Sequence, residues 1–427
     1  MIKLAKLIMA TALSGVFVSA VWAQDAAPAK LTLDECITLA MKNQIDINTG
    51  KNNVTVSEGR LTQARSSYYP QVTIQNNTFQ ESSRDLPLQK TTGTGISATM
   101  NVYDGGLREA NVKGARYGLQ QTEASLARIR QTVKFNVTTD YYTALKSKHL
   151  AAVADENVKY NQTLRAQIQA QADAGDAARV DILPVEAELA NTQVELLSAQ
   201  NTVQTSLIQL QNTIGLSPQP GFDIVESELP PETAIPEMTE YVDKALANRP
   251  DILQAKANVG VSSASVSSAK VSLYPRPVIS GSYQKNLEGN ITQDDTQLNG
   301  SIVFDLFNGG ANRAAYKEAR ANKDTSQQQL MQVDKDIRAQ VADAYFNLIS
   351  AKQRMAASDV GLNAAQRNYE AQKERYNLKL ASTLDLLNAE VQLITAQNNT
   401  VQSKYQYLTA IAQMDYAVGL AGGINAE

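Results

Sequence analysis

The chain has 427 residues, enough for two or three domains, and a formal net charge of −4, so it carries no basic footprint for nucleic acid. It is 43% hydrophobic but only 6% aromatic, and Ala, Gln, Asn and Lys dominate its long middle stretches, a helix-forming composition. A single cysteine and a single histidine exclude an internal disulfide and any metal cluster built from those residues. Cys36 reads as a small apolar group on the first helix, and His149 as a solvated or packing side chain on a long one.

Residues 1–23 form a separate object. Lys3 and Lys6 give a positive start, a mostly apolar run of 15 follows from Leu7 to Val21, and Val21-Trp22-Ala23 supplies a cleavage site. This is the pattern of a secretory signal peptide, too short to span a bilayer. No run of 18 apolar residues follows Ala23, so no transmembrane helix is expected in the mature chain. The mature protein is then either soluble outside the cytoplasm or inserted in a membrane as a β-barrel. Cys36 lies 13 residues beyond Ala23 and cannot be the lipid-bearing first residue of a lipoprotein.

The rest of the chain reads as one unit written twice, over 24–216 and 237–420, with a short tail at 421–427. Tyr103-Asp-Gly-Gly106 recurs as Phe307-Asn-Gly-Gly310 at an offset of 204. The same offset pairs Val137 with Val341, Tyr141 with Tyr345, Asp181 with Asp385, Glu186 with Glu390 and Gly215 with Gly419. Tyr69-Pro70 and Tyr274-Pro275 match at 205, a one-residue slip. Each unit opens with a helical pattern of about 35 residues, Leu33 to Tyr69 and Met238 to Tyr274, stopped by proline. Alternating stretches follow, Val72 to Phe79 and Ile96 to Val102 in the first unit, Val278 to Tyr283 and Leu298 to Phe304 in the second, with a polar loop inside each pair. The loop of the second unit is placed around Gly289. Gly-Gly then breaks the strand and a proline-free helix begins at Leu107, reaching ~100 Å over ~68 residues. Its stripe is Leu126, Ile129, Val133, Val137 and Tyr141, and the second copy has Leu330, Val333, Ile337, Val341 and Tyr345, a seam for packing against other helices. A turn and a shorter helix ending near Gly215 or Gly419 complete each unit. Two short helices together match the long one, so they are expected to stack end to end beside it. Between the units, residues 217–236 hold five prolines, the composition of a linker laid as a strap across the helices.

Four short strands cannot close a membrane barrel alone, and open edges do not survive in lipid. The strands must therefore close across chains, and the wider of the possible barrels leaves an aqueous lumen onto which ~100 Å helices mount as a hollow extension. Leu298, Ile302, Phe304 and Leu306 are expected to face lipid, and Asn299, Ser301 and Asp305 the lumen; Val303 breaks the alternation. Tyr68, Tyr69, Tyr103, Tyr274 and Phe307 gather at the helix-to-strand junctions, where a membrane-interface aromatic belt belongs.

The signal peptide, the duplicated unit, the Tyr-Pro before each hairpin, the Tyr-Asp-Gly-Gly and Phe-Asn-Gly-Gly after it, and the start of each returning helix, with Asp-x-Leu followed by Glu, resemble the TolC-type outer-membrane efflux family over about Leu31 to Leu420. The resemblance implies an α+β membrane channel made mainly of long α-helical coiled-coil hairpins. In it, a homotrimer builds one twelve-stranded barrel from four transmembrane strands per chain, above a periplasmic α-helical tunnel. It implies an outer-membrane location in a diderm bacterium and contact with outer-membrane lipid. It also implies a periplasmic adaptor of the membrane-fusion kind, docking on the helical tips, and an inner-membrane transporter. The function implied is passive conduction from that transporter to the exterior through a gated tunnel, in an efflux or type I secretion system, with cargo choice in the transporter.

On the same resemblance, Gly175 and Asp181 match the family's tip glycine and tip aspartate. In the second copy Asp385 matches, Lys379 stands where the glycine would be, and Asn388 replaces a second acid of the best-known member, so the acidic gate is thinner. Asp181, Asp385 and Asn388 are thus the candidate pore constriction, and Gly175, Asp176, Arg179, Lys379 and Ser382 the candidate adaptor-docking tips. Rings of carboxylates favour cations and raise one another's pKa. Arg179 is placed to tie Asp176 or Asp181 of a neighbouring chain in a closed state. A structural role competes: Ser382-x-x-Asp385 has capping-box spacing, and Asp181 before Pro184 suits a first helical turn. No phosphate loop, nucleophile elbow, zinc motif or cofactor motif is present, so an enzyme is not expected. A trimeric coiled-coil tether or adhesin shares the long helices but does not need two strand hairpins in a duplicated unit.

Overall fold

The computed structural model describes residues 30–83, 86–175, 178–226, 235–288 and 294–420. The expected signal peptide at 1–23, the loop around Gly289, Asp176 and the tail at 421–427 lie outside the described residues. The first half runs α1 (Leu33–Asn43), α2 (Ile45–Ser66), β1 (Gln71–Ser83), β2 (Leu86–Tyr103), α3 (Leu107–Asp173) and α4 (Ile182–Thr213). The second runs α5 (Met238–Asn248), α6 (Pro250–Val271), β3 (Arg276–Glu288), β4 (Asp295–Val303), α7 (Ala311–Asn377) and α8 (Thr383–Val418). Among the described residues no helix is long and apolar enough to cross a membrane.

The opening helix of each half, expected as one, is two. Gln44 and Arg249 take an extended backbone conformation (ψ 129° and 127°) and interrupt it. At Arg249 the following Pro250 disfavours helical backbone and opens α6, and at both breaks the C-terminal end of the returning helix abuts the interruption. The Gln44 Nε2 donates to the Thr213 carbonyl at 3.2 Å, and an Arg249 guanidinium N–H donates to the Ala417 carbonyl at 3.1 Å. A methyl on Gly215 would lie 3.0 Å from Asn43, and one on Gly419 would lie 3.1 Å from Arg249. The short helices therefore stack end to end beside α3 and α7, as the lengths implied. The strands also run further than the alternation indicated. β1 and β2 pair continuously from Gln71↔Thr99 to Glu81↔Gln89, so most of the expected polar loop is strand.

α3 and α7 are both 67 residues long and begin 204 apart. Each starts on two consecutive glycines in the left-handed region, Gly105–Gly106 (φ 75° and 93°) and Gly309–Gly310 (φ 67° and 86°). Two such residues in a row are what turn a strand abruptly into a helix, and side chains would oppose both. The predicted stripe is the core: Val133, Val137 and Tyr141 are buried on α3, and Ile337 and Val341 on α7. Cys36 is fully buried beside them. The described part of the strap crosses this core. Ile224 bridges Leu31 in a short parallel pairing, Lys148 binds Asp223 at 2.6 Å, and the Tyr141 hydroxyl donates toward the Leu31 and Val225 carbonyls. A third apolar cluster lies in the tip half, where Leu164 and Ile168 of α3 and Ile182 and Val185 of α4 meet Leu386 and Leu387 of α8.

Candidate functional site

The four strands form one antiparallel sheet in the order β1-β2-β3-β4. The register carries a consistent division of faces. Val72 lies opposite Ala98 and Ile74 opposite Ile96; Ala98 then pairs with Tyr283, Gly281 with Leu298, and Pro277 with Ile302. In the half nearer the helices that face is apolar across all four strands; further out it carries Asn76, Thr94, Lys285 and Thr296. The other face holds Thr73 with Ser97, Thr99 with Ser282, and Ser280 with Asn299. The Thr73 and Ser97 hydroxyls are 2.7 Å apart. None of the described residues covers this apolar patch: Val72, Ile74, Leu298 and Ile302 are 65–77% exposed. Phe304, Leu306 and Phe307, just past β4, are exposed as well. The outer edges of β1 and β4 have no strand partner among the described residues.

The junction between sheet and helices is fastened by Arg108, which the sequence reading overlooked. Its guanidinium donates to the carbonyls of Ser67, Asn101 and Val102, and lies 4.4 Å from the centre of the Tyr68 ring. Asn312, 204 residues on, makes the weaker counterpart, donating to the Ser272 carbonyl and the Asp305 carboxylate. Tyr69, Tyr103, Tyr274 and Phe307 are all exposed at this level.

At the far end the two tips differ. Gly175 ends the α3 turn at φ 82°, and Lys379 occupies the equivalent place at φ 57°, the one left-handed residue other than glycine among the described residues. The Lys379 amide donates to the Tyr376 carbonyl and the Leu380 amide to the Arg375 carbonyl, closing the helix in a Schellman motif. Ser382 caps α8 in a reciprocal box: its hydroxyl accepts from the Asp385 amide at 3.1 Å and its own amide donates to the Asp385 carboxylate at 2.9 Å. These bonds from Ser382 hold the Asp385 carboxyl below the usual carboxylate range, opposite in direction to the mutual repulsion expected of a carboxylate ring. Asp181 ends a 3-10 turn (Arg179–Asp181) and stands at the N-terminal cap position of α4, where its charge suits the helix dipole although its side chain makes no capping bond. Within the chain Arg179 and Asp181 do not pair. Asp385 and Asn388 are exposed on one side of α8, three residues apart.

The profile of the family described as "Outer membrane efflux protein" matches residues 36–216 and 241–420. The chain belongs to the outer membrane efflux protein family. It is 23% identical over 398 residues to the outer membrane efflux protein BepC of Brucella suis, covering 91% of this chain and 85% of that one. It is 22% identical over 434 residues to the outer membrane protein TolC of Vibrio cholerae, covering 98% and 95%. Among solved structures, the outer membrane protein VceC of Vibrio cholerae has the same fold, with a TM-score of 0.80 at 17% identity over 92% of this chain and 97% of that one. The protein is an α+β channel of the outer membrane, an exit duct of efflux and secretion systems, with its helical part in the periplasm.

A second site missed by the sequence reading is Glu390. It is buried on α8, with Asn161 of α3 donating to it at 2.9 Å, and burial pushes its carboxyl up to about 8. The pairing with Glu186 at the 204-residue offset was visible, but nothing in the pattern marked one of the two as buried.

Proposed function

We propose that three copies of this chain close their sheets edge to edge into one twelve-stranded barrel, and that their helices continue it as a gated periplasmic tunnel. The observation that carries this is the sheet itself: open at β1 and β4 and, in the half nearer the helices, apolar on one face and polar on the other. Unpaired backbone groups and a polar face are both costly in lipid, and closure across chains satisfies the edges while turning the polar face to a lumen. Tyr69, Tyr103, Tyr274 and Phe307 then form the aromatic belt at the membrane interface. Residues 24–216 and 237–420 act as two equivalent units, joined by the linker at 217–236.

In this assembly Asp181, Asp385 and Asn388 line the periplasmic constriction. Gly175, Asp176, Arg179, Lys379 and Ser382 form the tips that dock a periplasmic adaptor and, through it, an inner-membrane transporter, which chooses the cargo. The exposed apolar side chains beside those residues, Val180, Leu183, Leu378 and Leu380, supply docking area. Conductance of the purified channel in a planar bilayer tests the constriction. Asp385→Asn should weaken cation preference and sensitivity to divalent cations; no change in either removes Asp385 from the gate. Unboiled detergent extracts test the barrel. A band at three chain masses that collapses on heating is expected, and a monomer under all mild conditions refutes it.

A further inference from the structure

Glu390 has an unsatisfied place in the molecule that its twin does not share. In the first half Glu186 is partly exposed and paired with Arg165, whose guanidinium donates at 2.6 and 3.0 Å. At the offset of 204, Glu390 corresponds to Glu186 and Tyr369 to Arg165, so the second half has the acid without the cation. Glu390 is instead 4% exposed and turned toward the other hairpin. There it meets Asn161, which is fully buried. The Asn161 amide nitrogen donates to Glu390 Oε1 at 2.9 Å, to the Asn157 Oδ1 at 2.9 Å and to the Asn157 carbonyl at 3.1 Å, which fixes the orientation of the amide. Two acceptors are then left buried without a partner: Glu390 Oε2 and Asn161 Oδ1.

We propose that Glu390 is a proton-binding site that joins the two hairpins, with the proton carried on Oε2 and α3 held to α8 through the Glu390–Asn161 pair. A proton turns one of the two orphaned acceptors into a donor and removes a charge from an apolar seam. A metal ion fits less well. Calcium or magnesium asks for six or more oxygens, and among the described residues no three acidic, histidine or cysteine groups gather to hold one. The titratable groups that act on Glu390 or feel it are Glu188 from α4, Tyr160 from α3 and Tyr369 from α7; among them there is no cation to hold the ionised form. Burial is the largest cause raising its pKa, and the Glu188 charge adds to it. A carboxyl raised above its unfolded value stabilises the fold fully below that value. The contribution is lost as pH climbs from the ordinary carboxylate range through about 8. In the folded protein the carboxyl keeps its proton through neutral pH, while the stability it lends declines across the whole interval from the ordinary carboxylate range to about 8.

Infrared titration of the intact, detergent-solubilised protein tests this. Wild type minus Glu390→Gln should show the carbonyl stretch of a protonated carboxylic acid at about pH 6, lost with a midpoint near pH 8. Glutamine keeps the site neutral, retains an oxygen to accept from the Asn161 amide and offers N–H donors in place of the proton. Over the same range the unfolding midpoint of wild type should fall and that of Glu390→Gln stay level. Amide exchange in α8 around Leu386 and Leu393 should rise with pH in wild type alone. An acid band already absent at about pH 6, or a pH profile shared by the two proteins, overturns the proposal. Should Glu390→Gln fail to accumulate, the titration is run on Asp415→Asn, which removes the other carboxyl on α8 whose pKa burial raises; no acid band there refutes it equally.

Discussion

Removing the Arg249 side chain should cost far more than removing that of Gln44, although the two hold equivalent breaks. Arg249 is 2% exposed and spans three elements: Nε and Nη2 bind Asp251, Nη2 also donates to Gln340 Oε1 at 2.9 Å, and Nη1 donates to the Ala417 carbonyl at 3.1 Å. Arg249→Ala leaves Ala417 short of a partner inside the bundle and strips Asp251 of its cation. A charged hydrogen bond contributes roughly 1.5–3 kcal/mol and an orphaned buried acceptor costs roughly 1–3 kcal/mol. Asp251 is about a quarter exposed and regains some water, which reduces the sum, so the loss should be about 3 kcal/mol. Gln44 donates one neutral, part-buried bond to Thr213 and accepts an exposed one from the Ile45 amide, and Gln44→Ala should cost about 1–1.5 kcal/mol. Guanidinium unfolding of the detergent-solubilised protein, followed by far-ultraviolet circular dichroism, compares them directly. Equal losses, or an Arg249→Ala loss under about 1 kcal/mol, would refute the view that the arginine fastens α8 to the α5–α6 break.

Three further outcomes follow from single contacts. Lys379→Gly should stabilise the tip by about 0.5–1 kcal/mol, because the left-handed backbone disfavours a side chain by ~1–2 kcal/mol and glycine gives back part of that in chain entropy; Lys379→Ala should leave unfolding unchanged, and thermal scans separate the two. Tyr141→Phe removes the hydroxyl that holds both the segment before α1 and the strap, so amide exchange at Leu31 and Val225, which bond across that pairing, should quicken while α3 stays protected. Gly260→Ala places a methyl 2.5 Å from the Tyr117 ring between α6 and α3 and should cost roughly 1–3 kcal/mol, read as a lower unfolding midpoint; Gly118→Ala, which meets nothing, should not.

The long elements were legible because their signals repeat. A stripe with three- and four-residue spacing from Leu126 to Tyr141, and again from Leu330 to Tyr345, set in a long stretch interrupted by neither proline nor a turn cluster, leaves one conformation, and alternation in the strands indicates which face is apolar. What stayed hidden depends on tertiary neighbours. Gln44 breaks its helix where the end of α4 arrives, with no proline to announce it, whereas Arg249 precedes Pro250, which bars helical backbone from the residue before it and is a local signal the periodicity overrode. Arg108 reads as an ordinary charged helix residue until the three carbonyls around it are seen. Glu390 shares its residue type with Glu186, and only the replacement of Arg165 by Tyr369 distinguishes their surroundings. Capping chemistry was half legible: the Ser382–Asp385 spacing predicts its box, whereas Asp181 carries the same acid with no hydroxyl three residues before it.

That last difference can be taken to its cause. At the offset of 204, Ala178 stands for Ser382 and Pro184 for Asn388. The second tip begins its α-helix at Thr383, while the first makes a 3-10 turn over Arg179–Asp181 and becomes α-helical only at Ile182. Alanine has no oxygen to accept from the amide at 181, so the turn lacks its cap. Proline adds an independent constraint. With the helix starting at Ile182, Pro184 sits in the first turn, where its missing N–H is harmless; with a start at Arg179 it would fall in the second turn and clash with the Val180 carbonyl. Ala178→Ser alone should therefore gain under about 0.5 kcal/mol, and Pro184→Asn alone should be neutral or slightly harmful. Together they should recover about 1 kcal/mol, the usual worth of a serine cap, with slower exchange at the Asp181 amide. A double variant that equals the sum of the singles would show that the cap and the proline act separately. The 3-10 turn at the first tip would then need another cause. If the coupling appears, the pair also gives a gate test free of charge changes, because it moves the Asp181 carboxylate from an uncapped turn into a box while every ionisable group is retained.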